Sequence, residues 1–168
     1  MGLAVEVGIL DQLRGVDEEG REWSRGHFAR LNSWLLGKGL PIHKEPETLK
    51  PGESYSCSMC GYSGLHTLRR VAAYLQLNSS LPPSAMFRNA SKDPVVTQFY
   101  DYFGSEGSKF DHLMMHSDAE GFYLPQDFKS VLFPPDELEI PGCIVGSAPR
   151  LLAECTQLAA AMGLPLDT

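Results

Sequence analysis

Basic side chains are scarce in this chain: 14 Lys and Arg stand against 21 Asp and Glu, for a formal net charge of −7. Such a chain repels a polyanion, which sets DNA or RNA aside as the main ligand; a charge of this size by itself keeps a protein soluble, and the sharper reading is docking onto a basic protein. Long apolar runs are missing too. None approaches the roughly 20 residues that span a bilayer. The opening Met1–Glu6 lacks the basic start of a secretory signal, and Glu6 stands where a myristoylation site wants Ser or Thr. The expectation is a cytosolic chain with no membrane partner. No internal repeat, nucleophile elbow or phosphate loop is present, so the common hydrolase and nucleotide-binding signatures are excluded.

Cysteine is sparse, with Cys57, Cys60, Cys143 and Cys155 the only four. In a reducing cytosol free thiols are the default. Cys57 and Cys60, spaced Cys-x-x-Cys and followed by Gly61, form half of a zinc knuckle. The other ligands would have to come from His66, His112, His116 or an isolated Cys. Zinc at Cys57 and Cys60 is therefore the one cofactor the sequence suggests.

What is present is a folding composition, 43% hydrophobic and 21% charged, over a length that fills one core. We expect a single domain over 1–168. Leu3 to Leu10 alternates like a half-buried strand. Asp17-Glu18-Glu19 supplies a cap and an acidic first turn, followed by Phe28, Leu31 and Leu35 on one helical face. A second helix should start near Ser63, and 78–94, with its three prolines, reads as a long loop. Val95 to Phe103 has helical spacing. Phe110–Met115 and Phe122–Leu124 flank a short polar loop and predict a hairpin. Cys143–Val145 reads as a strand, and Ser147 caps a last helix with Leu151, Cys155, Leu158 and Met162 on its stripe. The fold class is α+β, with three or four helices packed on a small, mostly antiparallel sheet.

Potential chemistry concentrates between Phe110 and Pro125. With a hairpin there, His116 sits at the base of the loop, Asp118 and Glu120 occupy it, and Tyr123 emerges on the return strand facing His116. His116 would carry a proton, Asp118 would orient the imidazole and Tyr123 would donate to a substrate oxygen, with His66 brought in from the second helix. Asp and Ser also build turns, and buried Tyr and His often satisfy one another. Arg69 and Arg70 offer two cations for an anionic ligand, with His112 beside them. His112 and His116 could share a metal on a helix but not on a strand.

Leu65–Arg70, His112–Pro125, Gly146–Leu152 and Leu40–Glu47 together resemble a group of bacterial proteins of about this length with a His-x-x-x-His-Ser-Asp-x-x-Gly-x-Tyr-x-Pro segment. The resemblance implies a single-domain soluble protein and no particular reaction. The leading expectation is a small acidic binding module, in the manner of a toxin-neutralising immunity protein. The alternative is a small hydrolase, with or without a metal, built on His66, His112, His116, Asp118, Glu120 and Tyr123.

Overall fold

The computed structural model describes residues 4–9, 17–46, 48, 50–51, 53–58, 62–83, 90–104, 107–117, 121–139 and 144–165. Helix α1 runs Glu18–Gly37, and the Asp17 carboxylate accepts from the Gly20 amide at 2.9 Å, as its capping chemistry predicts. Leu31 and Leu35 are almost fully buried on its inner face. Strand β1 (Ala4–Val7) pairs antiparallel with β2 (Tyr55–Ser58). Tyr55–Ser58 carries little apolar alternation, so β2 has no strand signature in the sequence.

Helix α2 (Tyr62–Asn78) and helix α3 (Pro94–Phe103) pack on each other, with Phe99 completely buried between them. Each such side chain contributes about 1.5–3 kcal/mol by leaving water. The long connection between them ends in a 3-10 turn at Ala90–Lys92 and in Asp93, which caps α3 by accepting from the Val95 amide at 2.9 Å.

The expected hairpin is absent. Residues Asp111–Met114 form a one-turn helix, α4, and β3 (Phe122–Leu124) pairs in parallel with β4 (Val145–Ser147). Val145 also bridges Leu132 in the antiparallel sense on its other side. The coarse reading of helices with small sheets holds. The mostly antiparallel sheet does not, since among the described residues there are two separate two-stranded sheets and the one nearest the predicted chemistry is parallel. The reason is tertiary: side chains of Glu154, Arg69, Tyr100 and Tyr123 hydrogen-bond the backbone of this segment as a helical turn. Helix α5 (Ala148–Ala161) follows β4 directly, capped by Ser147 Oγ accepting from the Arg150 amide at 3.4 Å.

Two hydrophobic clusters result. One gathers α2, α3, α4 and Leu158; the other gathers Leu31, Leu35, Leu124, Phe128 and Val145. His112, 1% exposed, joins them, its ring 5.8 Å from that of Phe128.

Candidate functional site

A one-turn helix cannot satisfy its own ends. Helix α4 makes only two backbone bonds of its own register, Met114 to Phe110 and Met115 to Asp111. The rest come from side chains on four other elements. At its start Glu154 of α5 accepts from the His112 and Leu113 amides at 2.9 and 2.7 Å. At its end Tyr123 Oη donates to the His112 carbonyl at 2.7 Å, Tyr100 Oη to the Met114 carbonyl at 3.0 Å, and Arg69 Nε to the Leu113 carbonyl at 2.9 Å. A second guanidinium nitrogen of Arg69 donates to the His116 carbonyl.

The imidazoles are equally committed. His112 Nδ1 accepts from the Ser147 amide at 3.0 Å, which leaves the proton on Nε2, 3.3 Å from the Lys129 carbonyl. Both His116 nitrogens face carbonyl oxygens at 3.0 Å, those of Ser117 and Phe122. Burial lowers the pKa of both histidines, against the pull of these carbonyls. Both nitrogens of each ring face backbone groups at 3.0–3.3 Å, which leaves no open side for a metal. Among the described residues no group of three or more His, Cys, Asp and Glu could hold one.

The structure therefore brings Arg69, His112, His116 and Tyr123 together, as architecture around α4. His116 lies on Tyr123, but no strand ladder carries it there. His66 stands on α2 one turn before Arg70, and the ring nitrogens of His112 and His116 bond elsewhere. Arg70 is buried apart from α4, bonded to Asp93 at 2.5 Å and lying over the Tyr74 ring. Asp118, Glu120 and Cys60 lie outside the described residues, as does the side chain of Cys57 on β2.

Glu154 and Asp93 went unnoticed in the sequence. Glu154 had a signal, since it falls between Leu151 and Leu158 on the apolar stripe of α5. Burial, with Asp111 nearby, pushes its pKa up to about 7 in spite of the two amides and Arg150.

The charge that gives the chain its excess lies on the surface. Glu18, Glu19 and Glu22 are exposed on the first turns of α1, and Asp136, Glu137 and Glu139 on a 3-10 turn at Asp136–Leu138 and its cap. Arg30 Nε donates to the Leu138 carbonyl at 2.9 Å, fixing that turn to the middle of α1. Glu18 is countered by Arg21 and Arg25 at 3.4 and 3.6 Å, whereas Glu19, Glu22, Asp136, Glu137 and Glu139 have no ion pair among the described residues. The family model that matches is described as "Putative DNA-mimic protein" and covers residues 1–168.

The chain belongs to this DNA-mimic family. Comparison with curated proteins and with solved structures yields no match. Membership overturns the hydrolase alternative built on His66, His112, His116, Asp118, Glu120 and Tyr123, and it displaces the immunity-protein comparison. It also corrects the partner expectation, which set nucleic acid aside altogether, because DNA is what this family is described as imitating. No helix among the described residues is long and apolar enough to cross a membrane.

Proposed function

We propose that this protein works by binding a DNA-binding protein at its nucleic-acid face, presenting carboxylates where that face expects phosphates. The observation that carries the reading is the family match over the whole of 1–168. The acidic surface of α1 and the 136–139 turn supports it physically. Glu19 and Glu22 are one turn apart on α1, about 4.5 Å along its axis, against about 3.4 Å per phosphate along one DNA strand. Rigid elements hold them, so little side-chain entropy beyond their own is lost on docking.

The test is capture on immobilised protein from a lysate of the source cells, followed by elution with a duplex oligonucleotide. Proteins that bind DNA, come off with duplex and fail to bind an E19K/E22K/E137K/E139K variant are the expected result. Capture that duplex DNA does not displace, or that survives charge reversal on this face, overturns the reading.

A further inference from the structure

A second polar feature lies where the start of α4 meets α5. A cleft of about 210 Å³ opens there, with Lys109, Lys129, Arg150 and Gln157 around it and Asp111 and Glu154 in its lining. Of the twelve Lys and Arg among the described residues, Arg69 and Arg70 are buried, and three of the other ten collect at this cleft. Such a gathering of cations is the wrong sign for a surface that imitates phosphate.

We propose that this cleft binds a small oxyanion, held by Lys109, Lys129 and Arg150 with Glu154 at its wall. The carboxylates do not oppose this as much as their charges suggest. Asp111 accepts from the Ser108 amide at 3.1 Å, and Glu154 directs one lone pair of each oxygen to the α4 amides. Arg150 is steered by a two-point contact with Asp127, so its guanidinium is already placed at the rim. Lys109 and Lys129 are exposed and have no ion pair among the described residues. The charged and titratable groups facing Glu154 are Asp111 and His112 from α4, Lys109 before it, Lys129 after β3, Tyr123 on β3, and Arg150 and Cys155 on α5. Near neutrality Glu154 takes up a proton at little cost, and a neutral carboxyl donates to an oxyanion where a carboxylate would repel it. Binding and proton uptake are then one event, and affinity rises as pH falls.

The probes are sulfate and acetate, whose charges are constant between pH 6 and 8, titrated into the full chain against chloride at matched ionic strength. Backbone amide shifts at Ala153 and Gln157 follow the binding. Saturable binding of either anion is expected, with about tenfold higher affinity at pH 6 than at pH 8. The anion that binds more tightly indicates a phosphate-like or a carboxylate source. K109A/K129A should weaken it about tenfold or more while melting like the parent, since both side chains are exposed. E154Q should bind with no pH dependence. Absence of saturable shifts with both anions overturns the proposal, and so does binding that is unchanged in K109A/K129A or equally pH-dependent in E154Q.

Discussion

The imidazole of His116 lies flat on the ring of Tyr123, with centroids 3.9 Å apart and planes 16° from parallel. Two glycines permit this. A Cβ on Gly146 would stand 2.5 Å from Tyr123 ring carbons, and one on Gly121 would stand 2.7 Å from His116 Cε1. Gly121 also has φ +120°, where other residues are strained.

Replacement of Gly146 by Ala should therefore push Tyr123 off His116 and loosen its bond to the His112 carbonyl. A loss of about 1–3 kcal/mol is expected, typical of overpacking. Urea denaturation measures it, and an unchanged midpoint would mean the rings move apart freely.

Arg69→Met should cost more, about 2–5 kcal/mol, because it strands the buried carbonyls of Leu113 and His116 while keeping side-chain volume. Calorimetric unfolding would read this as a drop of several degrees in Tm. Lys38→Ala, at an exposed position outside the cleft, serves as the control and should leave Tm close to the parent's.

The pH dependence of folding should carry the signature of Glu154. Its folded pKa of about 7 exceeds the ordinary 4.5, so the folded chain keeps a proton that the unfolded chain releases. Stability from this group is full below about pH 4.5 and is lost as pH rises through about 7. His112 and His116, lowered by burial, tilt the other way and lose stability as pH falls below 6.5. The difference between parent and E154Q cancels the histidines. Urea midpoints at pH 5 and pH 8 should show E154Q gaining on the parent at the higher pH, and a constant difference would refute the raised pKa.

Partner binding should weaken with salt, as expected for exposed carboxylates facing a basic surface. Raising salt from 50 to 300 mM should lower affinity by about tenfold or more. E137K/E139K should weaken binding while leaving folding stability within about 0.5 kcal/mol of the parent. A salt-independent complex would point to an apolar contact instead.

Local signals in the sequence were sufficient wherever the chain's own neighbours decide the outcome. Asp17 and Ser147 cap the helices they precede, and Leu31 with Leu35, or Leu158 on α5, mark buried faces, because capping and helical periodicity act within a turn. The acidic balance of −7 is likewise a property of the sequence alone. Tertiary structure decided the rest. Whether Asp111–Met114 is strand or helix depends on Glu154, Arg69, Tyr100 and Tyr123, which come from distant parts of the chain and supply the partners that a one-turn helix lacks. The same contacts turn His112, His116 and Arg69 into interior supports, since both nitrogens of each ring and two nitrogens of the guanidinium are engaged with backbone.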